Sequence, residues 1–258
     1  MEKRERHFVL VHGACHGAWC WYKVTTFLRS AGHKVTALDL AAAGANGKRL
    51  EELNSFSDYH EPLMEFMTSL VTGEKVILVA HSRGGVSVSV AMERFPQKIS
   101  VAVFVTAFMP GPDFNLPTVY QERSLGASRD TQNTSDRGPN NPPTSIIFSP
   151  EDLAAKLYQL SPPEDLTLAT TLVRPSKLFR GENLLKETTV TREKYGTVHR
   201  VYIVCDKDNI LNEDFQRWMI KNNPPDEVKM ILGSDHMPMF SKPLDLCAYL
   251  QEIVESYS

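Results

Sequence analysis

The sequence predicts an α/β fold in which a mostly parallel sheet is covered by helices on both faces. Short apolar runs rich in β-branched residues alternate along the chain with stretches whose apolar residues recur at helical spacing. Continuous apolar runs are typical of strands buried on both faces, and alternating strands and helices build parallel sheets. The length of 258 residues suits one large α/β domain with a sizeable core.

The first part of the chain contains four predicted strands separated by predicted helices. The second helix shows the helical period most clearly, because its apolar residues fall three and four positions apart. We expect strands at His7–Val11, Lys34–Leu38, 75–79 and 101–105, and helices at 19–30, 59–70 and 85–92.

The last part of the chain returns to the same pattern. Residues 201–204 and 228–232 are apolar runs that predict two more buried strands. A final helix is predicted by a stripe of apolar residues at Leu244, Cys247, Leu250, Ile253 and Val254. These elements extend the parallel sheet that the first part begins.

The segment 110–186 breaks this alternation and contains no clear strand. Residues 123–144 are rich in Ser, Asn, Asp, Gly and Pro, which predicts a loop. Short helical patterns follow at 151–160 and 164–172. We expect a core made of residues 1–109 and 187–258, with 110–186 inserted as a cap, or lid, over an active site. The alternative is a mobile surface excursion.

The most informative motif is Ala80-His81-Ser82-Arg83-Gly84, which joins a predicted strand to a predicted helix. A nucleophile elbow joins a strand to a helix through a serine that has a small residue two positions before it and another two positions after it. The sharp turn exposes the Ser82 hydroxyl at the carboxyl end of the sheet, where the helix N-terminus also directs free N–H groups. This geometry suits attack on an acyl carbon. The alternative is an ordinary turn with a capping serine.

A serine nucleophile needs a base, and the sequence offers one after the last strand. His236 lies there, and Asp208 lies after the strand before it. The order Ser82, Asp208, His236 is the one expected when His236 removes the serine proton and Asp208 orients the imidazole. Asp206 competes for the acid role, whereas Asp39 ends a strand that precedes Ser82 and is expected to tie down a loop.

The first strand ends in His12-Gly13-Ala14, which resembles the motif that supplies an oxyanion-hole donor in esterases. We expect the backbone N–H groups of Ala14 and Arg83 to hold the oxyanion. Gly13 allows the backbone to approach closely, which a β-carbon would hinder. We place Gly13, His81 and Met237 among the substrate-binding residues.

Charge and cysteine content exclude several other classes of function. The formal net charge is −3 and no basic run is present, so we expect neither a nucleic acid nor a membrane as partner. The four cysteines have no metal-ligand spacing and suit a reducing compartment. Residues 1–6 are charged and lack the apolar segment of a signal peptide. We expect a cytoplasmic protein without a metal site.

Several segments beyond these motifs point to one family. They are HFVLVHGACHGAWCWY at 7–22, AGHKVTALDL at 31–40, LVRP at 172–175, RVYIVC at 200–205, FQRW at 215–218 and DHM at 235–237. Over residues 7–257 the chain resembles the plant methylesterase and hydroxynitrile lyase family of α/β-hydrolases, which also includes a methylketone synthase. The resemblance implies an α/β-hydrolase fold with a helical cap, a small-molecule ester substrate, no cofactor and a homodimer.

Individual positions favour hydrolysis within that family. The lyases carry a threonine and a lysine where this chain has Gly13 and Met237, and the synthase has lost the serine that is present here as Ser82. Two positions depart from the esterase pattern. Ala80 replaces a glycine, and Arg83 replaces an apolar residue. We expect the Arg83 side chain to form a salt bridge or to end in solvent, and the alternative is that its cation pairs with an acidic group or with the substrate at the apolar pocket.

We therefore expect a serine carboxylesterase that hydrolyses a methyl ester of a small plant metabolite through an acyl-enzyme. Decarboxylation of the product after hydrolysis stays open, because the acid released from a β-keto or β-aldehydo ester can lose carbon dioxide. The segments 141–144 and 161–165 look close to the synthase, which leaves the substrate more open than the reaction. The alternatives are a carbon–carbon lyase or decarboxylase on the same scaffold, or a ligand receptor without catalysis.

Overall fold

The computed structural model describes residues 5–126, 132–134 and 142–257. Part of the predicted loop at 123–144 therefore lies outside the described residues. The strands are β1 His7–Val11, β2 Lys34–Leu38, β3 Val76–Ser82, β4 Ile99–Ala107, β5 Gln132–Thr134, β6 Ser145–Ile147, β7 Ser176–Lys177, β8 His199–Cys205 and β9 Glu227–Ile231. The helices are α1 Tyr22–Ser30, α2 Phe56–Ser69, α3 Gly84–Arg94, α4 Leu116–Gly126, α5 Pro150–Asp152, α6 Pro163–Leu172, α7 Gly181–Thr188, α8 Glu213–Asn222, α9 Pro238–Ser241 and α10 Pro243–Ser256.

Six strands form the main sheet in the order β2-β1-β3-β4-β8-β9, and every neighbouring pair is parallel. All six are the strands predicted from the apolar runs, so the predicted fold class is confirmed. Strand β3 lies centrally and is buried along its whole length. Its carboxyl end carries Ser82, which places the serine at the middle of the sheet edge where ligands bind in open α/β sheets.

Apolar side chains from the two faces of the sheet form two cores. Alternate residues of β3 point to opposite faces, so Leu78 belongs to one core and Val79 to the other. The first core contains α2 and α3, and the second contains α1 and α10. Helices on both faces explain why the strands show no polar alternation in the sequence.

The connection from β4 to β8 holds α4 to α7 and a small antiparallel sheet of β5, β6 and β7. The expectation of no strand between residues 110 and 186 was wrong. These strands are two or three residues long, too short to give a period in the sequence. The predicted helix at 164–172 corresponds to α6, and the one at 151–160 corresponds to α5 with a π-helical turn at Leu153–Leu157.

Charged side chains, one buried and one half-buried, attach this segment to the main sheet layer. Asp165 accepts hydrogen bonds from the Tyr22 hydroxyl at 2.9 Å and the Lys23 ammonium at 2.5 Å. The Arg174 guanidinium donates to the carbonyl oxygens of Gly44 and Asn46, each at 2.9 Å. The segment is thus fixed by side-chain contacts at both places. Across the described residues, no helix is long and apolar enough to cross a membrane.

Candidate active site

The turn after β3 has the strained geometry of a nucleophile elbow. Ser82 has a φ of 52°, a left-handed conformation that is rare outside glycine. A β-carbon at Gly84 would lie 2.6 Å from the carbonyl oxygen of His12. Position 84, two residues after the serine, therefore requires a glycine because the backbone at the end of the first strand lies so close. On the other side, Ala80 is fully buried in the sheet, which accommodates its methyl group.

Three side chains form a hydrogen-bonded chain at this edge of the sheet. The Ser82 Oγ lies 3.1 Å from Nε2 of His236, and Nδ1 of the same ring lies 2.6 Å from Oδ2 of Asp208. All three residues are buried. Because a carboxylate only accepts, Nδ1 carries the proton and Nε2 is left to accept from the serine hydroxyl. This tautomer is the one a general base needs.

The carboxylate of Asp208 is held by more than the histidine. Its Oδ1 accepts from the N–H groups of Ile210 at 2.6 Å and Leu211 at 2.9 Å, and its Oδ2 also accepts from the Thr106 hydroxyl. Thr106 has a φ of 37°, which is unusual for a β-branched residue. Sequence reasoning missed Thr106, whose only signal is its place at the end of a central strand.

The two competing aspartates have other partners. Asp206 accepts from the backbone N–H groups of Gly233 and Ser234, at 2.6 and 3.3 Å. Asp39 accepts from the N–H groups of Ala18 and Ala45, at 2.6 and 3.1 Å, so it ties down a loop as expected. Only Asp208, of the candidates that we considered, is hydrogen-bonded to the imidazole.

The expected oxyanion donors lie beside the serine. Ala14 and Arg83 line the same cavity as Ser82, and neither belongs to a strand or a helix. A β-carbon at Gly13 would lie 2.7 Å from Cβ of Ser82 and 3.2 Å from its Oγ. The absence of a β-carbon at Gly13 therefore lets the loop after the first strand approach Ser82 closely, as expected from the sequence.

Two residues expected to bind substrate are direct sequence neighbours of the candidate triad. His81 donates from Nε2 to the carbonyl oxygen of His236 at 2.7 Å, and burial holds its pKa well below the usual value, so the ring is neutral. Met237 is completely buried. Among the described residues that line the cavity, neither is present, nor is Gly13. Their substrate contacts stay a prediction, and the hydrogen bond from His81 holds the backbone of His236 in place.

A cavity of about 510 Å³ opens next to Ser82. A small-molecule acyl group fits a space of this size. Its wall is mostly apolar and comes from the main sheet layer and from the segment between β4 and β8. The residues that line it are Ala14, Phe56, Ser82, Arg83, Phe108, Tyr120, Arg123, Ile146, Phe148, Leu178, Phe179, Arg180, Leu184 and Ile210.

The side chain of Arg83 is buried rather than solvated, and no carboxylate among the described residues pairs with it. The expectation of a salt bridge or a solvated tip was wrong. Its guanidinium donates to the carbonyl oxygen of Lys177 at 2.9 Å and to the Ser176 hydroxyl, and lies 4.7 Å from the ring centre of Tyr59. These contacts connect the elbow to β7. Sequence reasoning had no means of seeing this, because β7 itself was not predicted.

The whole arrangement agrees with one known family. The model of the alpha/beta hydrolase family matches residues 8–248. The chain belongs to the alpha/beta hydrolase family. The resemblance to plant methylesterases is also confirmed. The chain is 91% identical over 261 residues to methyl jasmonate esterase 1 of Vitis vinifera, with both chains covered completely. It is 52% identical to salicylic acid-binding protein 2 of Nicotiana tabacum, covering 99% of this chain and all of that one.

Solved structures of other alpha/beta hydrolases superpose closely on it. Methylketone synthase I of tomato, complexed with 2-tridecanone, has a TM-score of 0.94 at 50% identity, covering 99% of this chain and 100% of that chain. Polyneuridine aldehyde esterase has a TM-score of 0.90 at 43% identity, covering 97% and 100% of the two chains. Esterases and the synthase thus share this backbone, so the reaction depends on the side chains of the site.

Proposed function

We propose that this protein is a serine carboxylesterase that hydrolyses a methyl ester of a small plant metabolite. The observation that carries the proposal is the hydrogen-bonded chain from Asp208 through His236 to Ser82, 2.6 and 3.1 Å long, beside a cavity of about 510 Å³. The similarity to named methylesterases of plants supports the same reaction. Methyl jasmonate is the first substrate to test, because the relative named for it is 91% identical.

In the first half of the proposed reaction, His236 Nε2 takes the proton of Ser82 Oγ while the oxygen attacks the ester carbonyl carbon. The carbonyl oxygen becomes an oxyanion and accepts hydrogen bonds from the N–H groups of Ala14 and Arg83. Each such donor typically contributes about 2.7–4 kcal/mol to transition-state stabilisation. Collapse of the intermediate breaks the bond to the methoxy oxygen, which takes the proton from His236 and leaves as methanol.

In the second half, a water molecule attacks the acyl carbon of the ester formed on Ser82, and His236 takes the proton of that water. Collapse breaks the bond to Ser82 Oγ, which regains a proton from His236, and the acid product leaves. Asp208 stays ionised throughout and stabilises the imidazolium that forms twice in the cycle. Its four hydrogen bonds keep the carboxylate oriented toward His236.

The experiment is hydrolysis of a panel of methyl esters, with methanol and acid followed by mass spectrometry. We expect Ser82→Ala to lower kcat/KM by about 1,000-fold or more with the fold retained. Ser87→Ala is the matched control, because Ser87 is a buried serine of α3 whose hydroxyl has no hydrogen-bond partner. Near-normal turnover by folded Ser82→Ala would refute the acyl-enzyme.

A second candidate function is decarboxylation of a β-keto acid that hydrolysis releases. It is favoured by the likeness to methylketone synthase I of tomato complexed with beta-ketoheptanoate, which has a TM-score of 0.95 at 49% identity. Methyl 3-oxooctanoate tests it, since hydrolysis gives methanol and the acid, and loss of carbon dioxide then gives 2-heptanone. Ketone formation no faster than the spontaneous reaction of the free acid would exclude this second step.

We further propose that residues 110–186 act as a cap over the site, and that the protein is a cytoplasmic homodimer. The cap is supported by the position of Tyr120, Phe148 and Phe179 in the cavity wall. The cytoplasmic location is supported by the four cysteines, which are all free and buried, because thiols stay reduced in the cytoplasm. The dimer follows from the family resemblance, and light scattering on the purified protein tests it.

A further inference from the structure

The wall of the active-site cavity carries positive charge and no described negative charge. Three arginines line it, at positions 83, 123 and 180, whereas none of its described residues is an aspartate or a glutamate. The protein as a whole has more acidic than basic residues, 31 against 28. The overall composition therefore does not explain the excess of cations around this mostly apolar cavity.

Arg83 is a buried cation that the described protein does not neutralise. Its hydrogen-bond acceptors are the neutral oxygens of Ser176 and Lys177, and its flat face lies against Tyr59. The remaining nitrogen, Nε, is buried without a hydrogen-bond partner. Such an orphaned donor is costly unless another group satisfies it.

Arg123, on α4, lines the same cavity and is half-buried. Its Nε is also buried without a partner, and burial lowers the pKa of the guanidinium. The one carboxylate that opposes this lowering is Asp208, whose oxygens are already engaged by His236, Thr106 and two backbone N–H groups. No ion pair between Arg123 and another described residue is present.

We propose that Arg83 and Arg123 form a subsite for an acceptor oxygen in the acyl part of the cavity. The subsite selects esters whose acyl group carries a ketone or a carboxylate oxygen in addition to the ester. A guanidinium can only donate hydrogen bonds, so the matching group on a ligand is an acceptor. An acyl group without an acceptor leaves the Nε of both arginines unpaired, whereas the apolar wall receives its carbon skeleton. This inference rests on the proposed esterase function and adds the substrate class.

Binding measurements separate this inference from catalysis. Calorimetry on the Ser82→Ala protein compares methyl esters of equal chain length: methyl octanoate, the 5-, 6- and 7-oxooctanoates, and the monomethyl ester of octanedioic acid. We expect at least one oxygenated ester to bind about tenfold more tightly than methyl octanoate, since a hydrogen bond to a charged donor is among the stronger ones. The ketone and carboxylate arms show whether the preferred acceptor is neutral or anionic.

Variants then locate the preference. Arg123→Leu in the same background is expected to reduce it to less than about threefold, and Arg83→Leu should do the same. Arg83→Leu also loses the hydrogen bonds to Ser176 and Lys177 of β7 and is expected to be the less stable variant. If it does not fold, Arg123→Leu alone tests the subsite, because no hydrogen bond from Arg123 to β7 is present among the described residues. Arg217→Leu is the control, because Arg217 is an exposed arginine of α8 that pairs with Glu213 and is not among the described residues that line the cavity, so the preference should persist in it.

Equal affinity for all five esters would overturn the subsite, as would a preference that survives Arg123→Leu. Turnover of the same esters by the unmutated protein keeps the two proposals apart. Hydrolysis without an oxygen preference would leave the esterase and remove the subsite. An oxygen preference in binding without any hydrolysis would leave the subsite and remove the esterase.

Discussion

Replacing Gly13 with alanine tests how closely the first strand's loop must approach the nucleophile. The new β-carbon would lie 2.7 Å from Cβ of Ser82, 3.1 Å from Nδ1 of His81 and 3.2 Å from Oγ of Ser82. The first of these distances is 0.7 Å shorter than the ordinary contact distance of 3.4 Å, so the loop or Ser82 must move to admit the methyl group. Because a misplacement of about 1 Å costs about 100-fold in rate, we expect Gly13→Ala to lower kcat/KM by up to about 100-fold.

The effect on stability should be much smaller than the effect on rate. Adding one methyl group to a packed site typically costs about 1–3 kcal/mol, which a protein of this size can tolerate. The assay is kcat/KM for the best methyl ester together with the melting temperature. Gly47→Ala is the control, because a β-carbon at Gly47 meets no atom within 4 Å. A Gly13→Ala protein with more than half of normal activity would refute the argument from close approach.

Three further predictions concern the acid and the protonation of buried groups. Thr106→Val removes one hydrogen-bond donor to the Asp208 carboxylate. We expect kcat to fall about tenfold while KM changes little. An unchanged kcat would show that Thr106 has a purely structural role. Asp208→Asn should lower kcat about 10,000-fold, whereas Asp206→Asn should lower it less than about threefold. The reverse ranking would show that Asp206 is the residue that orients His236. Lowering the pH from 7.5 to 5.5 should lower the melting temperature by about 10 °C, measured by calorimetry, because buried histidines favour the neutral form. Their pKa values lie at about 4 for His12 and about 3 for His16 and His60.

The sign of the pH effect follows from where protons bind. An unfolded chain takes up a proton on each histidine near pH 6.5, whereas the folded chain does so only near pH 3 or 4. The unfolding free energy is therefore highest above pH 6.5 and falls as the pH drops. One unit below 6.5, each histidine accounts for about 1.4 kcal/mol, or roughly 4 kcal/mol for the three. A melting temperature that rises between pH 7.5 and 5.5 would contradict this.

The four inner strands of the main sheet, β1, β3, β4 and β8, could be predicted from the sequence because most of their residues are buried. Strands buried on both faces need continuous apolar runs, which these four show. The edge strands β2 and β9 are largely half-buried or exposed, and their shorter apolar stretches predicted them nevertheless. The candidate triad could be predicted for a related reason. Ser82 is the last residue of its strand and Asp208 and His236 follow the ends of theirs, and parallel strands bring those ends to one edge. Chain order then left Asp206 as the main competitor, and the hydrogen bonds distinguish the two.

What the sequence did not reveal depends on contacts between distant parts of the chain. The strands β5, β6 and β7 have two or three residues each and no period to detect. Arg83 looked like a surface residue because its acceptors, Ser176 and Lys177, lie more than ninety positions away. Thr106 carries no motif, and only the pairing of β4 with β8 brings it close to Asp208.

Covalent labelling of the nucleophile tests the central claim most directly. A fluorophosphonate reacts with a serine only when a base activates the hydroxyl and an oxyanion hole holds the phosphonyl oxygen. Intact mass and peptide mapping should show one equivalent on Ser82, with ester hydrolysis lost in step with labelling. The His236→Ala protein should react at least about 1,000-fold more slowly. Fully labelled protein that still hydrolyses the ester, or stoichiometric labelling at a residue other than Ser82, would contradict the proposed mechanism.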